Sequence, residues 1–351
     1  MKLPIPFRLR SLVAVAVYSL LIVAVQVLRA QETKEKVTVD DVERTYTLRL
    51  PSGYDAQRRY PVVILLHGMN QDADDMERLT QFDALADKDG IVAVYPFALH
   101  GRWNTGVHPQ ERRPMGMGQG GGHHRGGYGG GYPGGGQPRS RQPDEERRPA
   151  PADDIAFFNQ MLDQLETKLS IDSSRIYVGG LSEGGLMSMR VGCAMADRVA
   201  AVAAVGAAMP KTMICLPSRP VPLAMINGTS DPVVPYGGGT EHNLNLAILS
   251  AEDSAKAWAK IDRCEEKPAH DKLPPREKGG METKVDTYTA CQQGAQVVLY
   301  SVKGAGNTWP GGEQYEAENT VGKTSRDWNA NETLWSFLVT KKVAAKNDSG
   351  K

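Results

Sequence analysis

Ile176-Tyr177-Val178-Gly179-Gly180-Leu181-Ser182-Glu183-Gly184-Gly185 is the stretch on which the fold turns. An apolar run rich in β-formers leads into Gly180-Leu181-Ser182-Glu183-Gly184, a G-x-S-x-G pattern, and a helical stretch leaves it from about Glu183. Five residues of that form arise by chance, and an incidental serine in a glycine-rich turn is the bland reading. The context carries more weight: strand before, helix after, and glycines where a tight turn brings backbones together. Such a turn holds the serine Oγ above the edge of a sheet in a strained conformation and sets the next N–H at a helix N-terminus. Ser182 is therefore the candidate nucleophile, and the backbone N–H of Glu183 a candidate oxyanion donor.

The segments on either side read as alternating strands and helices. Lys36 to Asp40 and Arg44 to Leu50 form a hairpin around Asp41-Val42-Glu43 at a sheet edge, where their polar residues meet solvent. Pro61 to Leu66 is continuously apolar, as a central strand buried on both faces requires. A helical stretch around Leu79, Phe82, Leu85 and Ala86 follows, then a second buried run from Ile91 to Pro96. Ile155, Phe158, Leu162, Leu165 and Leu169 repeat at helical spacing behind Pro151 and a capping Asp153. Beyond the serine come an apolar run from Val199 to Val205 and a strand from Pro222 to Ile226. A helix around Ala255 to Ile261, a strand from Val297 to Val302 and a helix around Glu332 to Leu338 complete the order. The alternation predicts an α/β fold with a doubly wound, mostly parallel sheet and helices on both faces.

Two segments stand outside that domain. Residues 1–30 place Lys2, Arg8 and Arg10 before an apolar run from Leu12 to about Leu28, with small Ala30 before Gln31. This is the order of a secretory signal peptide cleaved after Ala30, and an uncleaved membrane anchor is the competing reading. From Gly106 to Ala152 the composition shifts to glycine, proline and arginine, which predicts a disordered insert. Its glycines neither follow a strand nor open a helix, so they make no phosphate loop, and His123-His124 reads as part of a solvated tract. Of 351 residues, this leaves one domain of roughly 250. A formal net charge of zero removes the long-range field that would draw nucleic acid. Either reading of the N-terminus puts the domain outside the cytosol, where Cys193, Cys215, Cys264 and Cys291 can pair. Four cysteines allow three connectivities, and the sequential one closes two short loops. No two stand at CxxC spacing and no histidine lies close to them, so no metal site is expected.

Further site candidates follow the strands. His67-Gly68-Met69 ends the Pro61 to Leu66 run, where the backbone N–H of Met69 is the second oxyanion donor and His67 a structural residue of the loop. Asp231, in Ile226-Asn227-Gly228-Thr229-Ser230-Asp231-Pro232-Val233-Val234-Pro235-Tyr236, follows another buried strand. A carboxylate there can orient an imidazole and stabilise its cation. Serine, then aspartate, then a later third residue is the chain order of the α/β-hydrolases.

Taken together these motifs resemble the secreted poly(3-hydroxybutyrate) depolymerase and feruloyl-esterase-like family of α/β-hydrolases. The resemblance runs from Arg44 to Leu338, apart from the insert and a charged loop from Glu265 to Lys284. It rests on LLHGMNQDA (65–73), RWN (102–104), Asp153-Asp154, GGLSEGGLMS (179–188), NGTSDPVVPY, GAGNTWPGG (304–312) and the closing NANETLWSFL. The four cysteines also look like those of the family. With the segments read above, the chain is expected to carry a signal peptide at 1–30, a single esterase domain over 31–340 interrupted by the disordered insert at 106–152, and a disordered tail at 341–351. The resemblance implies hydrolysis of carboxylic esters, oligomeric or polymeric, through an acyl-Ser182 intermediate, with no cofactor and no metal. Trp103, Tyr236 and Trp309 are candidate walls of the substrate pocket, with core packing as the other use of each.

One residue departs from the family pattern. Where the family carries histidine before Thr-Trp-Pro-Gly-Gly, this chain has Asn307. An amide has no basic nitrogen and cannot take the proton from Ser182. His242, His100 and His108 are the histidines that could substitute. The competing function is a catalytically dead relative that binds an ester polymer or carbohydrate without turnover.

Overall fold

The computed structural model describes residues 31–107 and 152–344, all within one compact unit. The signal segment, His108, His123, His124 and nearly all of the glycine-rich insert lie outside the described residues, as does the end of the tail. The chain enters through an antiparallel hairpin, β1 (Gln31–Val39) and β2 (Val42–Leu50). β3 (Tyr60–Leu66) is buried along its whole length. The single helical stretch expected next is two helices, α1 (Ala73–Thr80) and α2 (Asp83–Asp89), because Gln81 takes a left-handed conformation at φ 50° and ends the first. A reciprocal cap between Asp72 and Asp75 starts α1.

β4 (Val92–Pro96) follows, and after the insert α3 (Asp154–Lys168) begins with Asp153 accepting from the Ala156 N–H. Then come β5 (Ile171–Leu181), α4 (Glu183–Ala194), β6 (Ala201–Val205) and β7 (Leu223–Gly228). A short hairpin of β8 (Gly239–Glu241) and β9 (Leu246–Ile248) stands apart from the main sheet. The chain continues through α5 (Ala251–Ile261), β10 (Ala269–Leu273), β11 (Thr283–Tyr288), β12 (Val297–Val302), α6 (Glu318–Val321) and α7 (Ala330–Leu338).

The main sheet runs β1-β2-β4-β3-β5-β6-β7-β12-β11-β10, parallel from β4 to β12 and antiparallel at both edges. Alternation along each central strand sends residues to two separate cores. Val62, Ile64 and Leu66 pack with Phe158, Leu162, Met187 and Trp258 of α3, α4 and α5. Val63 and Leu65 pack with Met76, Leu79, Leu85 and Trp335 of α1, α2 and α7 on the opposite face. Burying each such aliphatic side chain is worth about 1.5–3 kcal/mol, which is why the central strands read as unbroken apolar runs. The α/β-hydrolase architecture, a doubly wound sheet with helices on both faces, is thus the observed one.

The charged segment from Glu265 to Lys284 corrects the expectation of a loop. It contains β10 and the start of β11, and Ala269 to Lys272 of β10 are exposed on the sheet edge. Polar side chains there suit a strand that pairs on one side only and must not recruit another chain. Two disulfides, Cys193–Cys215 and Cys264–Cys291, clip the ends of α4 and α5 to neighbouring loops. Loops closed over 22 and 27 residues contribute about 3 kcal/mol each in the chain-entropy model.

Candidate active site

Ser182, Asp231 and Asn307 follow β5, β7 and β12, so the parallel sheet brings them to one edge, at the carboxyl ends of its strands. Ser182 sits at φ 55° and ψ −117°, a conformation costing a non-glycine residue about 1–3 kcal/mol. Its N–H donates to Val205 O (2.8 Å), and its hydroxyl makes no cap to the helix it precedes. The glycines of the motif answer to sterics. A Cβ on Gly180 would lie 2.4 Å from the Gly184 carbonyl carbon, and one on Gly184 would lie 2.1 Å from Leu66 O. β3, β5 and α4 can approach this closely only without side chains at those points.

Residues from the neighbouring loops brace the elbow. Glu183 is buried, its carboxylate accepting from Arg102 Nε (3.0 Å) and the Trp103 N–H (3.4 Å). Burial pushes its pKa up, against the pull of Arg102. Asp154 accepts from Arg44 (2.7 Å) and the Asn104 N–H (2.6 Å), and Asn104 Nδ2 donates to Ala152 O (2.8 Å). The RWN and Asp-Asp motifs therefore tie the loop after β4 to the start of α3 and to the elbow. His67 holds the loop after β3 to the exit of β4. The Ala98 N–H donates to its Nε2 (3.0 Å), so the proton sits on Nδ1, 2.8 Å from Gly68 O. Burial lowers its pKa and keeps the ring neutral. With both nitrogens committed, His67 is structural.

Asp231 and Asn307 form a closed pair. Asp231 Oδ1 accepts the Val233 and Val234 N–H groups at 2.8 Å each, and Oδ2 accepts Asn307 Nδ2 at 2.8 Å. Burial raises the Asp231 pKa to about 6, despite these three donors. Asn307 is fully buried, and its Nδ2 also donates to Gly206 O (3.0 Å). A Cβ on Gly206 would lie 2.7 Å from that nitrogen, so a glycine at φ 56° makes the room. Asn307 Oδ1 has no hydrogen-bond partner among the described residues. The amide thus makes the donation to aspartate that an imidazole Nδ1–H would make, and offers no base on its other side.

Ser182, Glu183 and Met69 line one narrow pocket with Leu186, Val234 and Glu241, roofed by Leu244, Leu246 and Ile248 from the β8–β9 hairpin. Its free volume is about 20 Å³, room for one water. The aromatic residues proposed as its walls are not among its lining. Trp103 packs between His67 and Phe158 and donates from Nε1 to His67 O (2.9 Å). Trp309 is buried against α7 and donates to Asn331 Oδ1 (2.8 Å). Tyr236 hydrogen-bonds Ser301 Oγ (2.7 Å), away from the pocket. In each case the polar tip of the ring found a partner in the framework. His242 and His100 are exposed and line no part of the pocket. Glu241 and the apolar hairpin were missed in the sequence, since a short loop strand has neither period nor motif.

Comparison with known proteins agrees with this architecture. The family model for PHB depolymerase esterases matches residues 44–106, and that for phospholipases and carboxylesterases matches residues 138–271. NocK of Nocardia uniformis subsp. tsuyamanensis, named as an esterase, is 26% identical over 88% of this chain and 83% of its own length. Feruloyl esterase B of Piromyces equi is 25% identical over 75% of this chain, which spans 42% of that protein. Feruloyl esterase D of Neurospora crassa is 24% identical over 74% of this chain and 72% of its own. A solved thermostable esterase shares the fold, with a TM-score of 0.50 at 14% identity over 90% of this chain and 64% of that one. The fold and its strand-end site define an α/β-hydrolase of the esterase class. Within that class, the chain is similar to PHB-depolymerase esterases and feruloyl esterases, through family models that each match less than half of it and relatives under 30% identical.

Proposed function

We propose that this protein is an exported serine esterase that hydrolyses carboxylic esters through an acyl-Ser182 intermediate, at a rate limited by Asn307. The observation that carries the reading is the strained Ser182 turn opening on a pocket, with Asp231 and Asn307 joined behind it in α/β-hydrolase order. Ser182 Oγ attacks the ester carbonyl, and the N–H groups of Met69 and Glu183 receive the developing oxyanion at the N-terminus of α4. Collapse releases the alcohol, and water then releases the acid. The substrate classes are those of the named relatives and the family model: hydroxyalkanoate esters, or aromatic-acid esters of polysaccharide. Export is supported by the two disulfides and by the N-terminal signal pattern.

With no imidazole behind it, Ser182 keeps the oxyanion hole and binding contributions, which in serine proteases lacking a triad member still give roughly 10³–10⁴-fold over water. The absent base is also what favours the second reading, a relative that binds esters without turnover. Hydrolysis of p-nitrophenyl butyrate by wild type, Ser182→Ala and Asn307→His separates them. The esterase reading expects wild type to exceed Ser182→Ala. Equal rates assign the protein to binding.

A further inference from the structure

Asn307 leaves the site without a base at the usual place, so each other group around Ser182 bears on where its proton can go. The Asp231 carboxylate is saturated by three N–H donors from Val233, Val234 and Asn307. The Glu183 carboxylate is neutralised by Arg102. His242 and His100 do not line the pocket. Glu241 does, together with Ser182, and the pocket they share has room for a water.

The Glu241 carboxylate is held rather than free. It is 6% exposed, Oε1 accepts the Asn243 N–H (2.9 Å), and Oε2 accepts the Leu244 N–H in a short bond. Each oxygen retains a lone pair for a second hydrogen. No cation stands within ion-pair distance of it among the described residues.

We propose that Glu241 is the general base for Ser182, replacing the missing imidazole from within the pocket both residues line; the proposal rests on the serine-esterase reading above. In acylation the Ser182 Oγ–H bond breaks, its proton passes to Glu241 directly or through one water, and Oγ bonds to the carbonyl carbon. The tetrahedral adduct expels the alcohol oxygen, which takes the proton from Glu241. In deacylation a water gives its proton to Glu241 and attacks the acyl carbon, and Oγ leaves with that proton. Acid and alcohol are released, and both side chains return to their starting states.

The surroundings favour basicity. Burial raises the Glu241 pKa, and its backbone donors and the charges of His242 and Arg102 oppose that rise only in part. The Glu241 charge in turn adds to the raised pKa of Asp231 and of Glu183. A carboxylate base gains proton affinity as its pKa approaches the working pH.

The test uses the full chain with p-nitrophenyl butyrate. Glu241→Gln should lower kcat about a hundredfold with KM little changed, and should erase the acidic limb expected of the wild-type kcat/KM profile, the fall in rate as Glu241 becomes protonated. Glu241→Ala should regain at least tenfold in added sodium formate, which a folding defect would not. Glu241→Gln within threefold of wild type overturns the proposal. So does a loss that keeps the limb, with no formate rescue of Glu241→Ala. In either case Ser182→Ala, if inactive, leaves the serine-esterase reading standing. Wild-type turnover equal to that of Ser182→Ala removes both.

Discussion

The two halves of the candidate site are built on different physics. The Ser182 elbow is a matter of backbone sterics: glycines at 180 and 184 let β3, β5 and α4 touch, and the serine is forced to φ 55°. The Asp231–Asn307 half is a matter of side-chain hydrogen bonds, three into the carboxylate and two out of the amide. Sterics tolerate almost no exchange of residue. A hydrogen-bonded pair accepts any donor of suitable reach, and here the Asn307 amide is that donor to Asp231.

That contrast can be broken at its weakest point. Asn307→His should raise kcat/KM for p-nitrophenyl butyrate about a hundredfold, because Asp231 and the room beside Gly206 are already in place. A gain below threefold would mean that more than the base is missing. Gly184→Ala strikes the steric half: its Cβ meets a main-chain oxygen that cannot rotate away, and the variant should lose about 3 kcal/mol of stability in denaturant unfolding. A loss under 1 kcal/mol would show the elbow to be softer than described.

Asp231→Asn sharpens the other half. The folded-state pKa of Asp231 is about 6 against an ordinary 3.8, so between those values the folded protein binds more protons than the unfolded chain. The contribution of this group to stability therefore falls as pH rises from 4 to 6, by up to about 3 kcal/mol. Unfolding midpoints of wild type and Asp231→Asn should diverge by that trend across the window, and parallel curves would refute it. At the small end, His242→Gln and His100→Gln should leave kcat/KM within about twofold of wild type, since neither ring lines the pocket. A tenfold loss in either would reinstate a histidine base.

Much of the site was legible before the structure. Ser182 announced itself because the elbow needs glycines at fixed offsets between a strand and a helix. Asp231 and Asn307 followed from strand ends and motif order, and the sequential cysteine pairing is the observed one. What escaped shares a cause. Trp103, Tyr236 and Trp309 looked like pocket walls because large aromatics suit pockets, yet each ring found a framework partner for its polar tip. The strand β10 escaped because an edge strand keeps its charges, and charge reads as loop.

The sequence by itself determined the sheet, the elbow and the asparagine at 307. These depend on local period, on glycine sterics and on the identity of one side chain. Tertiary structure alone decided that Glu241 shares the pocket with Ser182. Glu241 lies 59 positions further along the chain, on a three-residue strand with no pattern of its own. Its place depends on how the hairpin folds back over the sheet edge, and no local propensity encodes that contact.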